Sequence, residues 1–94
     1  MATRLIARKG DSSDHGATID FTNQDGTVFC EGKEIAVAGA KLISHYSNPT
    51  HTTPEINGNL ATKLFVNGKA VVLNNSTAIC GSVIIAGSTK TYGA

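Results

Sequence analysis

Residues 63–87 (KLFVNGKAVVLNNSTAICGSVIIAG) alternate and cluster their apolar positions so as to read strand, tight turn, strand, polar corner, strand. Leu64 and Val66 alternate with Phe65 and Asn67, the period of two of a half-buried strand. Asn67-Gly68 then predicts a two-residue hairpin turn, because both of its central positions need φ > 0. Residues 70–73 form the return strand and residues 83–85 the next one, while the polar corner 74–81 brings Cys80 to a loop tip.

The same order of elements is legible upstream. Residues 4–9 (RLIARK) predict a first strand and residues 10–16 (GDSSDHG) a turn-rich corner ending in His15-Gly16. Residues 17–21 predict a strand, 22–26 a turn, and 27–30 a strand. Glu31-Gly32 reads as a second tight turn, with residues 33–38 returning. Shifted by 36 positions, TVFCEGKEIAVAG (27–39) falls on KLFVNGKAVVLNN (63–75), with Phe29 over Phe65, Gly32 over Gly68 and Lys33 over Lys69. A shift of 65 lays the corner 10–19 over 75–84, with His15-Gly16 on Cys80-Gly81. A unit of hairpin, corner and ligand therefore recurs, and such units bury their apolar faces against one another instead of forming separate cores. Residues 39–54 break the pattern: 38–46 have room for a helical turn or two before a Pro-, Ser- and Thr-rich loop. Residues 55–60 (EINGNL) then offer another Asn-Gly turn.

Composition agrees with short strands and frequent turns. Ten glycines, many Ser, Thr and Asn, five aromatic residues and no Trp point to an all-β fold. Ninety-four residues make one domain, 1–94, small enough to gain much from a metal or a partner. The formal net charge is +1 and the eight Lys/Arg are scattered, so no basic stripe marks a nucleic-acid site. No apolar run is long enough to span a bilayer, and Arg4, Lys9 and Asp11 interrupt the start, so no Sec-type signal peptide is expected.

Chemistry-bearing residues are few. His15, His45 and His51 all fall in corners or loops, and His15, His45 and Cys80 each lie five or six residues after Gly10, Gly39 or Asn75. Three imidazoles and one thiolate complete a closed tetrahedral Zn²⁺ shell. The alternative is three solvated loop histidines and a structural cysteine. Cys30, mid-strand, is expected to pack in a core or interface, both thiols staying free of a disulfide in a reducing compartment. Asp11, Ser13 and Asp14 stand near His15, either to orient an imidazole or to cap the amides of the turn. A ligand set that fills all four positions argues against a catalytic metal, and no oxyanion-hole, P-loop or GxGxxG motif supports another enzyme class.

RLIARKGDSSDHGATI, LFVNGKAVVLNNSTAICGSVIIAG and the His-containing loop between them resemble PAAR-repeat proteins over nearly the whole chain. Those are small tips that cap the trimeric spike of type VI secretion systems and contractile phage tails. The family pattern "…NGKPAARVGD…HGG…" is matched in part by IARKGD (6–11), His15-Gly16, VNGK (66–69) and Cys80-Gly81. A literal Pro-Ala-Ala-Arg is absent, its slots reading Glu34-Ile35-Ala36-Val37 and Ala70-Val71-Val72-Leu73. The resemblance implies a small cone of hairpin repeats with pseudo-threefold symmetry and an apical zinc held by His15, His45, His51 and Cys80. It further implies a VgrG-type or phage-type trimeric spike as partner, one tip per trimer, with effector proteins as further cargo and transient contact with a target membrane. Such a tip assembles in the cytoplasm and leaves at the head of a spike, as part of a virion or secreted. The competing expectation is a stand-alone zinc-dependent hydrolase or small metal-binding module.

Overall fold

The computed structural model describes residues 3–14, 17–24, 26, 28–42, 55–79 and 81–94. Within them there are twelve short strands and no helix, so the fold is all-β. Their sequence is β1 (Arg4–Leu5), β2 (Ser12–Ser13), β3 (Ile19–Phe21), β4 (Phe29–Cys30), β5 (Lys33–Glu34) and β6 (Ala40–Leu42). β7 (Glu55–Gly58), β8 (Phe65–Val66), β9 (Lys69–Ala70), β10 (Thr77–Ala78), β11 (Ile84–Ile85) and β12 (Tyr92–Gly93) follow.

Both anticipated hairpin turns form. Glu31 and Gly32 have φ of 51° and 84°, and Asn67 and Gly68 have 52° and 81°, the paired left-handed geometry of a type I′ turn. They join β4 to β5 and β8 to β9 in the same register, Phe29 opposite Glu34 and Phe65 opposite Ala70. A third hairpin is assembled from distant parts of the chain: β12 pairs antiparallel with β1, Tyr92 opposite Leu5.

Each hairpin runs on into a three-residue segment, 6–8, 35–37 or 71–73, and these segments close a ring. The Ala36 N–H donates to Ala7 O (3.1 Å), the Val72 N–H to Ala36 O (2.9 Å), and the Ala7 N–H to Val72 O (3.0 Å). A second circuit repeats the connection one step on, from Lys9 N–H to Glu34 O, Ala38 N–H to Ala70 O and Asn74 N–H to Leu5 O. After each segment the chain turns sharply at Gly10, Gly39 or Asn75, with φ of 88°, 88° and 73°. The corner strands continue the circuit, β6 pairing with β3, β10 with β7 and β2 with β11.

Alternation along the ring segments divides the interior into two layers. Ala7, Ala36 and Val72 point into a cluster with Ala17, Ile19, Leu42, Ile56, Ala78 and Ile84, on the side of the corners. Ile6, Ile35, Val71, Val37 and Leu73 point into a second cluster with Cys30, Val66 and Ala61, on the side of the hairpins. Ile19, Ile56 and Ile84 fill matching places in their units and are all fully buried, each contributing roughly 1.5–3 kcal/mol by burial.

Three expectations about local structure are corrected. The helical turn placed on 38–46 is strand β6 over its described part: left-handed Gly39 prevents helix entry, and Ala40 and Leu42 are buried while Lys41 between them is half-buried. The polar corners 10–16 and 74–81 are not wholly turns, since each contains a strand, β2 or β10. Asn57-Gly58 is not a turn but the end of β7, and the left-handed residue is Asn59 (φ 53°). Gly58 is required for close approach, because a Cβ there would run into Thr77 Oγ1.

Candidate metal centre

The corner strands flank the residues expected to be ligands, and the described positions on either side of those residues are tied together. The Ser13 N–H donates to Ala17 O (2.8 Å) around residues 14–16, and the Ala78 N–H to Ser82 O (2.9 Å) around 79–81. Leu42 and Glu55 bracket residues 43–54. The Asp14 N–H donates to Val83 O and the Ile79 N–H to Glu55 O, both at 2.9 Å, and Ile19 pairs with Leu42. His15, His45, His51 and Cys80 themselves all lie outside the described residues. Among the described residues, no three His, Cys, Asp or Glu side chains gather as a metal site. The donor set of three imidazole nitrogens and one thiolate matches the chemistry of structural zinc.

The polar residues around His15 have separate tasks. Asp11 is buried and its carboxylate accepts from the Arg8 N–H (2.8 Å) and the Gly87 N–H (2.9 Å). Asp14 Oδ1 accepts from the Val83 N–H (2.9 Å). Both therefore cap backbone amides. Ser13 is different: it is buried, and among the described residues its Oγ has no hydrogen-bond partner.

Three features of the molecule were not anticipated. The first is Arg8, at the same step of its ring segment as Val37 and Leu73 but charged and buried. Its guanidinium pairs with Asp11 (3.2 Å) and stands 4.0 Å from Glu31. Leu5-Ile6-Ala7-Arg8 occupies the place in its unit that Glu34-Ile35-Ala36-Val37 and Ala70-Val71-Val72-Leu73 occupy in theirs. The arginine that seemed missing from those two slots is thus present in the first. The motif RKGD carried that signal, since Arg8 stands three residues before the Asp11 that caps its amide.

The second is Glu31, exposed in its hairpin turn. Its carboxylate accepts from the Thr91 hydroxyl (2.9 Å) and from the Lys90 and Thr89 N–H groups (3.1 and 3.2 Å). These bonds, led by that of Thr91 and helped by the nearby Arg8 charge, hold its carboxyl below the usual range. Ser88 Oγ donates to Ile6 O (2.7 Å) beside them, so the segment that completes the third hairpin is clasped from two sides.

The third is an open strand edge, repeated three times. Ile35, Val71 and Ile6 donate to Val28, Leu64 and Thr91, so the adjacent pairs Phe29–Glu34, Phe65–Ala70 and Tyr92–Leu5 are the non-bonded ones. The backbone groups of Phe29, Phe65 and Tyr92 therefore face away from their hairpins, and among the described residues nothing meets them. All three side chains are more than half exposed. Val28 and Leu64, next to these edges, pack half-buried against the hairpin-side cluster, and free Cys30 is buried within it. That core role for Cys30 is the one expected from its strand position.

No curated protein matches the sequence. The family model of the PAAR motif matches residues 9–86, most of the corner-and-hairpin framework just described, and the chain belongs to the PAAR motif family.

Proposed function

We propose that this chain is the non-enzymatic structural tip of a trimeric spike, a single pseudo-threefold domain over residues 1–94, with zinc held by His15, His45, His51 and Cys80 where the corner loops converge. The observation that carries the proposal is the threefold repetition of one open edge. A surface that presents Phe29, Phe65 and Tyr92 in equivalent strands is suited to a partner that offers the same strand end three times, as a trimeric β-structured spike of the VgrG or phage type does. Unpaired edges are an aggregation hazard unless covered, so their retention in triplicate favours a dedicated partner. The ring of hydrogen bonds supports the pseudo-threefold reading, and the tied loop stems support convergence of the ligands at the opposite end. There the bound metal would supply a cross-link between corners and no chemistry on a substrate. Assembly would occur in the cytoplasm, followed by delivery at the head of the spike with brief contact with a target membrane, and effector proteins would be its cargo.

The test is to mix the purified chain with the spike trimer from the same source and measure mass by light scattering. One chain per trimer is the expected outcome. Three chains per trimer, or no complex, would remove the tip assignment.

A further inference from the structure

Two features recur in all three hairpins at places the core does not require. One is the aromatic residue at the open edge, and the other is a cation one step along the ladder. Lys33 opposes Cys30, beside Phe29; Lys69 opposes Val66, beside Phe65; and Arg4 opposes Gly93, beside Tyr92. Lys33 and Lys69 are exposed and Arg4 is half-buried. Among the described residues none of the three forms an ion pair. Two are held by neutral groups: Lys69 Nζ donates to Asn23 O (3.2 Å), and the Arg4 guanidinium to Asn74 O (2.9 Å) and Asn59 O (3.0 Å). Carbonyl acceptors fix where a cation stands without cancelling its charge. Two of the cations also line clefts at matching places in their units. A cleft of about 480 Å³ lies by Lys33 and Gly10, with Phe29 and Lys9 on its walls. Another of about 330 Å³ lies by Arg4 and Asn75, with Lys63 on its wall. Glu34 lines the first cleft, but its carboxylate accepts from the Thr22 hydroxyl and pairs with neither lysine.

One cation per unit is not the clustered basic stripe of a nucleic-acid surface. It suits a partner that brings one anionic group to each hairpin. A strand added at the open edge is polypeptide, and the anionic group that a strand carries is a side-chain carboxylate. Resting on the tip assignment above, we infer that the spike end docking here presents one aspartate or glutamate per chain, three in all, received by Lys33, Lys69 and Arg4. A threefold partner offers the same group three times. This chain varies the neighbouring hairpin position freely, as Glu34, Ala70 and Leu5, yet keeps a cation in every copy. Charge pairs at such a rim steer encounter and fix register more than they add affinity. They would set which residue of the incoming strand lies beside each aromatic, which the uniform backbone of an open edge does not.

The experiment measures the rate of association with the spike trimer by stopped flow, at low and at high salt. It compares wild type, Lys33→Gln, the double variant Lys33→Gln with Lys69→Gln, and Lys41→Gln, which removes the same charge from corner strand β6. The double variant is expected to associate about tenfold more slowly at low salt and to respond less to added salt. Lys33→Gln should fall between it and wild type, and Lys41→Gln should match wild type. Lys33 is exposed, so its substitution leaves the melting temperature unchanged and gives a readout even if the change at Lys69 loosens the hold on Asn23. Variant rates and salt responses equal to those of wild type would overturn the carboxylate pairing and leave the tip assignment standing, as would equal slowing by Lys41→Gln. A wild-type chain that does not bind the trimer would remove the tip assignment and this inference together.

Discussion

Arg8 stands where the other two units bury Val37 and Leu73, and the cost of that charge is met by specific partners. Asp11 pairs with the guanidinium and caps the Arg8 amide, just as Ser76 Oγ accepts from the Leu73 N–H in the third unit. A buried ion pair is fragile to loss of one member but often replaceable as a whole. Asp11→Ala is therefore expected to cost about 3 kcal/mol, the low end of the range for a broken buried pair because Glu31 still faces the guanidinium. The double substitution Arg8→Leu with Asp11→Ser, which copies Leu73 and Ser76, is expected to return stability to within about 1 kcal/mol of wild type. Urea denaturation of the two variants decides the matter, and a double variant as weak as the single one would refute the account. The charge and its neighbour Asp11 were readable in the sequence as RKGD, but its burial was not, because the groups that enclose it, Glu31 among them, are distant along the chain.

At the scale of elements, the hairpins differ in what secures them. Those of β4–β5 and β8–β9 are closed by their own type I′ turns, and these were legible as Glu31-Gly32 and Asn67-Gly68. The hairpin of β12 and β1 has no turn and depends on the clasp at Glu31. The folded protein holds the Glu31 carboxyl below its ordinary value of 4.5, so its stabilising contribution is present above that value and is lost as pH falls through the lower, folded value. Glu31→Gln should therefore flatten the dependence of melting temperature on pH below about 4.5 while lowering it at neutral pH. Melting curves that fall in parallel for variant and wild type from pH 6 to 3 would argue that other carboxylates carry the acid response. The same strap explains why only two of the three hairpins were visible in sequence: the third is split between residues near the two ends of the described chain, so no single shift aligns it.

At the scale of the whole molecule, the ring separates the hairpins from the corner strands. Among the described residues the interior has few large side chains, with no aromatic residue among the fully buried ones. A cross-link at the loop end would then matter more than in a larger core. Structural zinc in small peptides contributes on the order of 10–16 kcal/mol of binding energy that becomes folding energy. Stripping the metal, or substituting His15→Ala or Cys80→Ser, should accordingly lower the melting temperature sharply and abolish stoichiometric zinc. An unchanged melting curve after metal removal would speak against a structural ion.

The sequence by itself determined the all-β class, the two type I′ turns and the buried place of Cys30. Each of these follows from one or two adjacent residues whose allowed φ or side-chain period is a local property. Only the tertiary structure decided that the three ring segments bond in a closed circuit, that β12 and β1 make the third hairpin, and that Arg8 is enclosed. Those depend on hydrogen bonds between backbone groups far apart along the chain, such as Ala7 with Val72 and Asn74 with Leu5, for which every residue carries the same donor and acceptor and the side chains leave no mark.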